Sequence, residues 1–131
     1  MKLKSALIIA VLLASAGVLA FTLWPNITPN GTHETVKEFV LIAKDMKFHV
    51  QGEEKLPLLV RVGDRVRLIV RNEESQPIAH NFAIVGLGLR TDYQQPGASE
   101  ILEFDAKHEG TLLYACLLHP GLMEGQIKIL P

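Results

Sequence analysis

The chain has 131 residues, 48% of them hydrophobic and 21% charged, which leaves room for one domain of about 100 residues beyond an apolar N-terminus. This composition excludes a disordered chain and a protein that crosses a membrane many times. Setting aside Lys2 and Lys4 in the N-terminal segment, 11 basic residues face 14 acidic ones, a net charge of −3 without the basic stripe of a nucleic-acid binder.

The first segment, residues 1–24, opens with a basic start and continues from Ala6 to Trp24 without a charge. As a helix this run reaches about 28 Å, against a hydrocarbon core of about 30 Å. It reads as a transmembrane anchor or as a signal peptide, since Ala14-Ser15-Ala16 and Val18-Leu19-Ala20 have the small-residue pattern of a cleavage site. The anchor is favoured, because the run extends past the first such site to Trp24, an interfacial residue type, and then Pro25. In either case Lys2 and Lys4 hold the N-terminus in the cytoplasm and send the rest outside. The expected location is the cell membrane, single-pass, with the domain extracytoplasmic, or secreted or periplasmic if the segment is cleaved. The only cysteine, Cys116, lies far from this segment, which argues against a lipid anchor and rules out an internal disulfide. Residues 25–35 form a polar, breaker-rich linker.

From Val36 the sequence reads as short strands separated by turns. Val36 to Ala43 and Leu58 to Val62 are apolar and β-branched. Gly63-Asp64 is a turn, and Arg65 to Arg71 alternates Val66, Leu68 and Val70 against arginines. His80 to Val85, Glu100 to Asp105, Thr111 to Cys116 and Glu124 to Leu130 follow, punctuated by Gly86, Gly88, Pro96-Gly97 and Glu109-Gly110. No helical apolar period occurs after residue 35. The spacing predicts an all-β fold, a two-sheet antiparallel sandwich over residues 36–131, preceded by one hydrophobic helix.

The chemistry concentrates in Cys116-Leu117-Leu118-His119-Pro120-Gly121-Leu122-Met123. A thiolate, an imidazole and a thioether spaced Cys-x2-His-x3-Met suit copper better than a hard ion, and one Cys with two His and a weak axial Met makes a blue-copper set. His80 supplies the second histidine. Each residue alone has an ordinary reading: a buried cysteine, a core methionine, a strand-end histidine. Their combination is what core packing has no reason to produce. Leu117, Leu118, Pro120 and Leu122 are expected to surround the metal with apolar side chains, and Leu117, Pro120, Gly121 and Leu122 to build an apolar patch at the surface beside His119.

The chain resembles a cupredoxin of the plastocyanin/azurin kind over about residues 36 to 131. The resemblance is carried by Val62-Gly63-Asp64-Arg65-Val66, Asn72, His80-Asn81, Pro96-Gly97, Glu109-Gly110-Thr111, Tyr114, His119-Pro120-Gly121 and Gly125. It implies a Greek-key sandwich holding one type 1 copper ion, with His80, Cys116 and His119 equatorial and Met123 axial. It also implies that the Asn81 N–H supports the thiolate while the Asn81 side chain ties the ligand loops together. The dinuclear copper site of cytochrome oxidase subunit II needs two cysteines, and this chain has one. Leu118 stands where many plastocyanin-like loops carry proline, so its N–H is expected to add a second contact to the sulfur.

His33, His49 and His108 read as surface histidines, and Phe48 between Met46 and His49 points to packing rather than a second metal site. Glu53-Glu54 and Glu73-Glu74 read as solvated turns, or as part of an acidic patch for a basic partner. Paired catalytic carboxylates, a nucleophile triad and a phosphate loop are absent, so an enzyme with a small-molecule substrate is not expected. The leading expectation is electron transfer by copper to or from a redox protein partner such as a cytochrome, an oxidase or another membrane electron-transfer complex. The alternatives are a copper storage or delivery module and a structural cupredoxin subunit of a membrane redox complex.

Overall fold

The computed structural model describes residues 35–52 and 56–131. The segment at 1–24, most of the linker, His33 and Glu53-Glu54 lie outside the described residues. Among the described residues no helix is long and apolar enough to cross a membrane.

Among the described residues nine strands form two sheets. They are β1 Val36–Lys44, β2 Lys47–Val50, β3 Leu58–Arg61, β4 Arg65–Asn72, β5 Ala83–Ile84, β6 Leu89–Arg90, β7 Ser99–Asp105, β8 Gly110–Ala115 and β9 Glu124–Leu130. One sheet has the order β2-β1-β4-β7 and the other β3-β9-β8-β5-β6. Period-two alternation builds the interior between them. Val66, Leu68 and Val70 of β4 are buried, as are Leu102 and Phe104 of β7 and Ile127 and Ile129 of β9. With Phe39, Leu41, Leu58, Val60, Ile84 and Tyr114 they form a single apolar core fed by both sheets.

The sandwich is not purely antiparallel. β1 runs parallel to β4, with Val36 opposite Arg65 and Ala43 opposite Asn72, and β3 runs parallel to β9. A hydrophobic period of two carries no direction, and parallel neighbours ordinarily need a long crossover. Here the crossover is made of strands: after β1 and β2 the chain passes into the second sheet as β3 and returns as β4. The turn before β4 is closed by Asp64, whose carboxylate accepts the Arg61 N–H at 2.7 Å, with Gly63 at φ 95°.

The strand expected over His80 to Val85 contracts to Ala83–Ile84. His80 makes an isolated bridge to Gln94, the Phe82 N–H goes to Thr91 Oγ1 at 2.9 Å, and Val85–Leu87 coils into a 3-10 turn. The edge strand β6 was not expected as a separate element, whereas β2 is the edge segment that carries His49. The strand expected to end at Cys116 stops at Ala115, because the Cys116 N–H turns to the Met123 carbonyl.

Beneath the ligand-bearing end lies an aromatic trio. The Phe82 ring stacks on Tyr114 with centroids 4.8 Å apart, and Phe48 meets both edge-on at 5.2 and 5.7 Å. Tyr114 is fully buried, and its hydroxyl has no hydrogen-bond partner among the described residues. The facing position on β9 is Gly125, where a Cβ would run into Cζ and Oη of Tyr114. Gly125→Ala is therefore expected to destabilise the fold by about 1–3 kcal/mol in chemical denaturation, the usual cost of overpacking.

Burial raises the Tyr114 phenol to about 12, because the phenolate cannot be solvated there. The folded state keeps this proton between pH 10 and 12 while an unfolded tyrosine loses it, so stability falls as pH rises through that window. Tyr114→Phe should abolish this component of the fall. At neutral pH it should leave stability equal or higher by up to about 1 kcal/mol, since an unpartnered hydroxyl is removed. Denaturation midpoints measured from pH 8 to 12 check both outcomes.

Candidate metal centre

Two segments bring the site together. The first follows β4, whose last residue, Asn72, is fully buried. Its Nδ2 donates to the carbonyls of Ile78 and Gln94, each at 2.8 Å, and its Oδ1 accepts the Glu74 N–H at 3.0 Å. This folds residues 73–79 back beneath the sheet edge. His80 is then held by paired backbone bonds with Gln94, at 3.0 and 2.7 Å.

The second segment is the loop between β8 and β9. The Cys116 N–H donates to the Met123 carbonyl at 2.9 Å, closing the loop at its base. Within it, His119 N–H returns to the Cys116 carbonyl at 3.1 Å, and the N–H groups of Leu122 and Met123 both reach the His119 carbonyl. Gly121, at φ 79°, makes the reversal that a side chain would strain, and its N–H is capped by Glu124 at 2.8 Å.

Asn81 joins the two segments. Its backbone N–H points at Cys116 Sγ at 3.5 Å, and its Oδ1 accepts the Leu117 N–H at 2.8 Å. Both contacts agree with the role that the resemblance implies for this residue. The second contact expected from Leu118 is not formed: among the described residues the sulfur receives one backbone N–H, that of Asn81. The turn closed by His119 N–H and Cys116 C=O leaves Leu118 at its outer corner, 43% exposed.

His80, Cys116 and His119 offer one ligand atom each, all within 4.8 Å of one another. His80 Nδ1 lies 3.2 Å from His119 Nδ1, and Cys116 Sγ lies 3.4 Å from His119 Nδ1 and 3.9 Å from His80 Nδ1. Metal–nitrogen bonds of about 2.0 Å and metal–thiolate bonds of about 2.3 Å would set trigonal donors roughly 3.5–3.7 Å apart, which these separations bracket. One thiolate and two imidazoles in a buried setting are a donor set for copper, so the residues fit the ion. Met123 is buried on the same closed loop, its backbone bonded to both Cys116 and His119.

His80 and Cys116 are buried and His119 is half-buried. Burial lowers the His119 pKa and a charge on His80 lowers it further, while Glu74 acts in the opposite sense. The apolar residues of the loop face outward, as the surface patch expected of Leu117, Pro120, Gly121 and Leu122 requires: Leu117 is 45% exposed and Leu122 67%, with Pro120 also exposed. They form an apolar rim around His119, while the inward cover comes from the core.

Glu74 also departs from expectation. Its side chain is only 5% exposed, and its Oε1 lies 2.9 Å from His80 Nε2. The solvated-turn reading fails because the β1–β2 hairpin closes over it, the Met46 N–H reaching the same oxygen at 3.2 Å. Burial by itself would raise the carboxyl pKa, but the His80 contact and the hairpin N–H groups outweigh it and leave the pKa below its usual value. The neighbouring Asn72 was the one sequence signal pointing here, as a residue able to turn the chain inward after β4.

No protein-family model and no curated protein matches the chain. Solved structures do match. Auracyanin A, a "blue" copper protein from Chloroflexus aurantiacus, is 18% identical with a TM-score of 0.58, over 72% of this chain and 98% of that one. Auracyanin from Roseiflexus castenholzii is 20% identical with a TM-score of 0.54, over 77% and 100%. A chain of a haem-copper terminal oxidase dimer is 14% identical with a TM-score of 0.60, over 92% and 88%. These likenesses establish the fold, an all-β sandwich of the cupredoxin class.

Asn72→Ala would orphan the Ile78 carbonyl, remove one of the two donors to the Gln94 carbonyl and free the Glu74 N–H. The expected loss is on the order of 3 kcal/mol in urea denaturation, with the bridge between His80 and Gln94 loosened in amide exchange.

Proposed function

We propose that this chain is an electron carrier that holds one copper ion between His80, Cys116 and His119, with Met123 as a weak axial ligand. The observation that carries this reading is the convergence of three nitrogen and thiolate donors from two tied loops, buried beneath an apolar rim. Bound in such a set, copper alternates between Cu(I) and Cu(II), at a potential tuned by the axial ligand and by hydrogen bonds to the thiolate.

The residues of the chain supply rigidity and access. Cys116 and His119 belong to one loop closed by its own hydrogen bonds, His80 is bonded on both sides to Gln94, and Asn81 fixes their separation. Little rearrangement then accompanies a change of charge, as fast electron exchange requires. His119 is the only one of the three that is not fully buried, and it stands among Leu117, Pro120 and Leu122. A redox protein docking on this rim would make the small contact typical of such encounters. With Met123 in the fourth position no site is left open for a substrate, so the role is transfer rather than catalysis. The charge-free run from Ala6 to Trp24 supports a location for this activity at the outer face of a membrane.

A second reading is a cupredoxin subunit of a membrane redox complex. It is favoured by the likeness to a chain of a haem-copper terminal oxidase dimer over 92% of this chain. A stoichiometric complex retained through gentle solubilisation would select it over a free shuttle.

One equivalent of Cu(II) added to the full-length protein in detergent should give an intense thiolate-to-copper absorption band and narrow copper hyperfine splitting in the paramagnetic resonance spectrum. Both should vanish in Cys116→Ser. A colourless wild-type protein would overturn the electron-transfer reading.

A further inference from the structure

A buried carboxylate is costly unless its charge is met. Glu74 is 5% exposed, and among the described residues no lysine or arginine pairs with it. The groups that reach its Oε1 are the ring of His80 at 2.9 Å and the N–H of Met46 at 3.2 Å. Its own N–H is held by Asn72 Oδ1 at 3.0 Å, so backbone and head group are both fixed.

The geometry at His80 is directional. A carboxylate can only accept, so Nε2 must be the protonated nitrogen that faces it. In the neutral ring Nδ1, which faces Cys116 Sγ and His119 Nδ1, is then the bare nitrogen that a metal requires. The opposite tautomer would set a lone pair against the carboxylate and a proton toward the other ligands. The hairpin shares this arrangement. Asp45 and Met46 both have left-handed backbones, at φ 52° and 58°, a conformation uncommon for residues of these sizes. That turn presents the Met46 N–H to the oxygen that faces His80.

We propose that Glu74 is a positioning residue of the metal centre, fixing the orientation and tautomer of His80, and that the β1–β2 hairpin acts through it as the outer support of that ligand. The proposal rests on the copper reading for its consequences in the loaded protein, but not for the state of the metal-free ring. Outer partners of this kind change metal affinity by about 10–100-fold when removed. The negative charge beside a ligand also favours the more highly charged ion, so removing it raises the reduction potential.

The test uses full-length protein. Nitrogen-15 imidazole spectra of the metal-free wild type should show His80 protonated at Nε2 and bare at Nδ1. A neutral ring protonated at Nδ1 and bare at Nε2 would overturn the proposal without any variant being made. Glu74→Ala should mix the two tautomers, deprotect the Met46 amide, and weaken copper binding by about 10–100-fold in competition with a chelator. Glu74→Gln keeps the shape and an acceptor without the charge, so it should raise the potential while losing less affinity. It also carries the test if the alanine variant does not fold. Glu73→Gln, at the exposed neighbour, should change none of these. Wild-type tautomer, affinity and potential in both Glu74 variants would refute the proposal, whereas a wild type that takes no copper would refute the functional reading and leave the tautomer result standing.

Discussion

Asn81 is one residue that touches both halves of the donor set. Its N–H is on the sulfur of Cys116 and its side chain holds the first backbone N–H of the loop that carries His119. Those two bonds span a sequence distance that no local interaction covers, and both lie in a buried or half-buried setting where a hydrogen bond is costly to lose. The ligand loop could satisfy its own turns without His80, and the His80 segment could pair with Gln94 without the loop. The Asn81 contacts, together with the pairing of Ala83 on β5 with Ala115 on β8, oblige them to meet in a set relation.

Around that tie the polar groups form concentric layers. Asn72 anchors the 73–79 segment, Glu74 faces the far side of the His80 ring, and the β1–β2 hairpin closes over Glu74. Beneath them the aromatic trio gives a stiff apolar floor. Gly125 and Tyr114 illustrate how tightly the floor is fitted, since the missing side chain of one is occupied by the ring of the other. A site buried among such neighbours has few ways to relax, and within the apolar rim His119 is the donor that reaches solvent.

Much of the site was legible because its signal is local. Cys116, His119 and Met123 fall within one short loop, and their donor types point to one class of ion. The alternation of Val66, Leu68 and Val70 made β4 plain. Direction was not legible, because a period of two looks the same in parallel and antiparallel strands. The exposed apolar patch of Leu117, Pro120 and Leu122 beside His119 was legible, since all of it falls on that same short loop. Glu74 was misread for a different reason: Ser75-Gln76-Pro77 after it has the composition of a solvated turn, and the hairpin that buries it lies 28 residues away.

The parallel pairings also bear on how the molecule acquires its centre. β1 meets β4, and β3 meets β9, only after long stretches of intervening chain are in place, and such non-local topologies fold slowly. Cys116 and His119 are three residues apart, whereas His80 is 36 residues from the sulfur. Part of the donor set is thus present in a nascent loop before the sheets have paired, while the last nitrogen arrives with the finished sandwich. On the proposed copper reading, a soft metal ion available during that interval would meet an incomplete set open to solvent, and the order of folding and loading would bear on which ion the site takes.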